Sequence, residues 1–122
     1  LAQHLLVALI EEGLALDPLL LAWLLTVAIR VCVGSATVAG LPAASILAPL
    51  VADPAQGVDP NLMVLAVGSG SLACSHVNDA GFWLFKEYFN ASIPDTFRCW
   101  TAMETIVSIV GLVGVLVLAR IV

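Results

Sequence analysis

The sequence predicts an all-α membrane fold: a re-entrant helical hairpin, a broken transmembrane helix and a final transmembrane helix. Three observations predict it. The 122 residues are 61% hydrophobic and 11% charged, against about 45–50% and about 25% in soluble domains, and the mean hydropathy is +1.10. A soluble core of this size could not hide so much apolar surface, so the expected solvent is lipid. Two short apolar limbs meet at a small polar tip, "GSATVAG". A later oily passage is interrupted by "SHVNDAG", groups that hydrocarbon makes expensive.

Composition also excludes classes. The net charge of -5 and the absence of a basic stripe argue against nucleic acid as a partner. Cys32, Cys74 and Cys99 are widely spaced, lack zinc-ligand spacing and read as small packing residues. Length allows a single transmembrane region over 1–122. The first apolar run has no basic flank and no A-x-A-like cleavage site, so it does not read as a signal peptide. The opening at Leu1 rather than methionine reads as the start of a fragment.

The elements follow in order. Residues 1–17 form a peripheral or partial helix with polar Gln3, His4, Glu11 and Glu12, closed by Gly13 and Asp17-Pro18. Residues 18–52 are the hairpin, with Pro18 at the first helical position. Each limb is about 23 Å long at helical rise, short of the ~30 Å hydrocarbon core. Pro42 and Pro49 are expected to shorten the second limb; one span with an irregular return is the alternative. "DPAQGVDP", 53–60, is an acidic loop in water. Residues 61–89 are the broken helix: 61–76, an unwound piece, then about 80–89. Ser92 and Asp95 form a capping-box pattern before the last helix, 93–121. Lys86 and Arg98 flank the 90s loop while Asp53 and Asp59 mark the other, so the 90s loop is expected in the cytoplasm. Trp83, Phe85, Tyr88, Phe89, Phe97 and Trp100 cluster there as an interfacial belt.

Asn78, Asp79 and Gly81 are turn and cap residues, and a continuous span has no use for them at its centre. Non-helical backbone at membrane depth survives only in protein or beside an aqueous cavity, so a break implies a cavity. Gly34, Ser35 and Thr37 make the same case at the other tip, where the following helix offers free N–H groups to an anion. Paired interrupted segments are how secondary transporters hold substrate and coupling ion, so a carrier is the expected function. Arg30 lies one turn before Gly34; it either attracts a carboxylate substrate or, the preferred reading, neutralises an internal acid such as Glu104. Asp79 is either a proton carrier or the N-cap of the second half-helix. His76 either carries a proton or hydrogen-bonds across the break. Glu104 is a third relay candidate or an interfacial acid. Ser35 or Ser75 with His76 and Asp79 resembles a hydrolase set only superficially, since no oxyanion hole is identifiable, and enzyme activity is not expected. A metal site from Cys74, His76 and Asp79 lacks a fourth ligand, so no metal and no cofactor beyond a coupling proton is expected.

Three phrases carry a resemblance: "LLAWLLTVAIRVCVGSATVAG", "SHVNDAGFWLFKEYF" and "WTAMETIVSIVGLVGVL", in that order, from about Pro18 to the end. Together they resemble the C-terminal part of the gluconate permease family, proton symporters of gluconate and related sugar acids, some carrying D-serine. The resemblance implies a multi-pass bacterial inner-membrane carrier built from two inverted repeats, of which this chain is the second repeat's hairpin, broken helix and final helix. It implies substrate-facing tips at Gly34, Ser35, Ala36 and Thr37 and at Ser75, His76, Asn78 and Asp79. It also implies as partners the bilayer, a small anionic sugar acid and the permease's remaining N-terminal part, with self-association open. A truncated protein with a structural or assembly role is the rival expectation.

Overall fold

The structure, a computed structural model, describes residues 17–122; the partial helix expected over 1–17 lies, but for Asp17, outside them. Five helices are described: α1 Pro18–Val33, α2 Ala36–Ala52, α3 Pro60–Gly70, α4 Ala80–Tyr88 and α5 Ile93–Leu118. No strand occurs among the described residues.

The helix starts are written locally. Asp17 and Asp59 each precede a proline at the first helical position, and their carboxylates accept the N–H groups of Leu19 and Asn61 at 2.9 and 2.7 Å. Proline loses nothing there because its missing donor would have had no partner. Asp53-Pro54 starts a short 3₁₀ turn the same way, through the N–H of Ala55. Ser92 caps α5 by accepting from the N–H of Asp95.

Packing places α3 at the centre, against α1, α2 and α5. Leu62, Met63, Ala66 and Val67 of α3 meet Leu19 and Ala22 of α1, Ala43, Leu47 and Leu50 of α2, and Val115 of α5. Outside this core, α5 leaves Ile106, Val110, Val113 and Val117 bare. It is the one helix among the described residues long and apolar enough to cross a membrane; α1 and α2 are shorter. A shared concavity brings Asp17, the 56–60 loop, Ala119 and Val122 together, which fixes one end of the molecule. The 16 residues of α1 carry the chain about 24 Å from that end. The α1–α2 link therefore lies well away from that end, where it meets the break between α3 and α4.

Three expectations change. Helix α2 runs through Pro42 and Pro49 to Ala52, where shortening was expected. Both prolines sit on the exposed face, while Ala39, Ala43, Leu47 and Leu50 are buried on the other. That packing outweighs the ladder bonds the prolines remove, as tertiary burial commonly does for a helix. Helix α3 stops at Gly70, six residues before the expected 76, because Ser69 and Ser71 turn their hydroxyls back onto the carbonyls of Ala66 and Gly68. Such bonds compete with the helix, and tight turns at Leu72 and Ala73 follow. Finally, Arg120 adjoins Ala119 at the acidic end, so the basic excess at the 90s end is Lys86 and Arg98 against one.

Candidate functional site

The site grows from two places where backbone leaves the helix. At the α1–α2 link Gly34 takes a left-handed conformation, φ +77°, and its N–H closes on the carbonyl of Arg30. A Cβ on Gly34 would collide with the carbonyl oxygen of Asn78. The link and the break between α3 and α4 are thus in contact, and the side-chain amide of Asn78 donates to the carbonyl of Val31 at 2.9 Å. Ser35 caps α2 through the N–H of Val38. Ala36 and Thr37 lie in the first turn of α2, Thr37 exposed.

At the centre is an ion pair. Arg30 Nη2 donates to Asp79 Oδ2 at 2.6 Å, and the hydroxyl of Ser75 donates to the same oxygen. The other oxygen, Oδ1, accepts the N–H of Gly81 at 3.1 Å, so Asp79 is at once the N-cap of α4 and the partner of a buried arginine. The expected partner, Glu104, is not the one Arg30 takes. The short Asp79 side chain is presented by backbone that has already unwound, whereas Glu104 is held on α5 and forms no ion pair among the described residues. Glu104 nonetheless lies close enough for the charges of Arg30 and Asp79 to act on it.

The unwound segment is pinned to α5. Ser75 is fully buried; its hydroxyl accepts from Trp100 Nε1 at 2.7 Å, and its carbonyl accepts from the hydroxyl of Thr101. The N–H of Cys74, a residue at φ 52°, donates to the hydroxyl of Thr105 at 3.2 Å. The His76 ring is half-buried, with Nδ1 2.7 Å from the carbonyl of Cys74; its side chain does not meet Asp79. The structure thus brings Arg30, Ser75 and Asp79 together in direct contact, with Gly34 and Asn78 touching beside them.

On the α5 side of the cluster, sequence reasoning singled out Glu104 but missed Thr101, Thr105 and Ser108. Thr101, Glu104, Thr105 and Ser108 stand at i, i+3, i+4 and i+7, one face of a helix, and that spacing was a legible signal. Ser108 is fully buried and accepts from Trp23 Nε1 at 3.0 Å. At the level of Ser75, residues Phe97–Thr101 form a π-helical turn, a distortion frequent at functional sites. No proline or glycine foretells it. Among the described residues no cluster of His, Cys, Asp and Glu could hold a metal ion.

Comparison with known proteins agrees across nearly the whole chain. Residues 3–122 match the family model described as GntP family permease. A gluconate permease of Pseudomonas aeruginosa is 57% identical over 104 residues, 85% of this chain and 23% of the relative. A high-affinity gluconate transporter of Escherichia coli K12 is 56% identical over 84% of this chain. The Gnt-II system L-idonate transporter of the same organism is 51% identical over 85%. The chain spans about 23% of the length of each of these relatives. No solved structure matches it.

Proposed function

The chain belongs to the GntP family of permeases, and from that membership we propose that it forms part of a proton-coupled symporter of gluconate or a related sugar acid. It is the C-terminal part of a multi-pass carrier in the bacterial inner membrane. The α1–α2 hairpin enters and leaves the membrane on one side, and the 90s loop faces the cytoplasm. The solute binds between the link at Gly34–Thr37 and the break at Ser75–Asp79.

The observation that carries this reading is the contact of two non-helical backbone segments around a buried ion pair, Arg30 to Asp79. Unwound backbone and buried charge are both costly in a bilayer, and lining a solute path is the use that offsets them. The relatives named for gluconate and L-idonate supply the substrate class: small polyhydroxy monocarboxylates.

The test is uptake of radiolabelled gluconate by the complete permease in proteoliposomes. An inside-alkaline pH gradient should drive accumulation, unlabelled idonate should compete, and a protonophore should abolish the gradient-driven part. Equilibration without accumulation under the same gradient would contradict proton coupling.

A further inference from the structure

We infer that Arg30 is the anion-binding group of this site and Asp79 its internal competitor, so that a proton on Asp79 and a carboxylate on Arg30 arrive together. The inference rests on the carrier reading above and adds the groups that couple solute to proton. Arg30 is 2% exposed; Nη2 serves Asp79, while Nε and Nη1 are buried with no hydrogen-bond partner among the described residues. A buried donor left unpaired is costly, and more so when it is charged. A guanidinium is built to hold a carboxylate through two parallel N–H···O bonds, and in this state only one of its nitrogens is used. Helix α2 begins after Ser35 and helix α4 after Asp79, and the Gly34–Asn78 contact brings their N-termini to the same neighbourhood. Both ends favour negative charge.

The competition fixes the proton balance. With Asp79 ionised, Arg30 is already neutralised, and a second carboxylate would bring an unbalanced charge into a poorly solvated site. A proton taken from water onto the Asp79 carboxylate gives the neutral acid, which can stay in contact with Ser75 and Gly81 but no longer neutralises Arg30. The guanidinium, protonated throughout, then takes the solute's carboxylate. One proton and one monoanion have entered, the site's net charge is unchanged, and release reverses both steps. Because Arg30 is covered, the 71–79 segment must shift for the anion to reach it.

The other ionisable groups around the pair are few. Helices α2 and α3 carry none. Lys86 and Glu87 of α4 lie about two turns beyond Asp79 and pair with each other. Glu104 of α5 feels both charges, and His76 is held against the carbonyl of Cys74. Glu104 is therefore the alternative proton carrier that the experiment must separate.

The experiment is equilibrium binding of radiolabelled gluconate to the purified complete permease across several pH units, with a pH indicator in weak buffer. On the alkaline limb the wild-type Kd should rise roughly tenfold per pH unit, the signature of one proton bound per anion, and binding should take up one proton per gluconate. Asp79→Asn should bind with a Kd independent of pH and lose acid-driven accumulation. Arg30→Gln should weaken binding by more than about tenfold at every pH. A wild-type Kd flat with pH overturns the inference even if the variants fail to fold. So does a pH dependence that survives Asp79→Asn and disappears in Glu104→Gln. A wild-type protein that binds neither gluconate nor idonate at any pH overturns the carrier reading itself.

Discussion

At the scale of single residues, the side chains at the site answer two demands at once. Asp79 caps α4 and neutralises Arg30 with different oxygens. The sequence offered the cap as the alternative to a proton carrier and gave Arg30 to Glu104, because spacing alone does not say how many partners a carboxylate has. Breaking a buried pair from one side strands the other charge and costs about 3–5 kcal/mol. Arg30→Gln and Asp79→Asn should each lower the thermal midpoint of the complete permease, and the double variant should lose less than the sum. Additive losses in that cycle would mean the pair is not coupled. Gly34 gives a second test. An alanine at Gly57, φ +59° in open space, should cost only the left-handed penalty, about 1–2 kcal/mol. Gly34→Ala adds a collision with Asn78 and should cost clearly more; equal losses would contradict the contact between link and break.

At the scale of elements, the sequence made helix starts legible and helix ends less so. Each Asp-Pro pair writes its own cap within three residues, so Pro18, Pro54 and Pro60 could be placed without tertiary knowledge. The end of α3 at Gly70 depends on serine hydroxyls choosing backbone carbonyls, and the continuity of α2 depends on packing against α1 and α3. Neither is decided by the residues alone. The same holds for the site: Gly34 and Asp79 could be read from chemistry and Thr105 from its spacing with Glu104 and Ser108, whereas the π-helical turn that carries Trp100 and Thr101 has no proline or glycine to announce it. Ser75→Ala should remove the hydroxyl that joins Trp100 to Asp79, at a cost of about 1–3 kcal/mol, measurable as a lower thermal midpoint. Pro49→Ala should stabilise α2, since the position is exposed and a mid-helix proline costs up to about 3 kcal/mol. A fall in midpoint would show that the proline's bend is needed.

At the scale of the whole molecule, the proposed carrier requires that α1 and α3 end, and α2 and α4 begin, inside the membrane around a wet, polar path. The bare faces of α5 and the apolar composition fit a chain surrounded by lipid and by further protein, as expected where the relatives are about four times longer. Orientation is a separate matter, carried by few charges: cysteines placed in the 53–59 and 90–92 loops should react with impermeant reagents from opposite sides. The most direct measurement is cysteine accessibility in the complete permease, stripped of Cys32, Cys74 and Cys99. Ser35→Cys, Thr37→Cys and Asn78→Cys should react with a water-soluble thiol reagent, and gluconate should slow that reaction. Val110→Cys on the bare face of α5 should stay unreactive throughout. If the link and break positions prove as inert as Val110, or react at a rate gluconate does not change, no water-filled solute path passes between them.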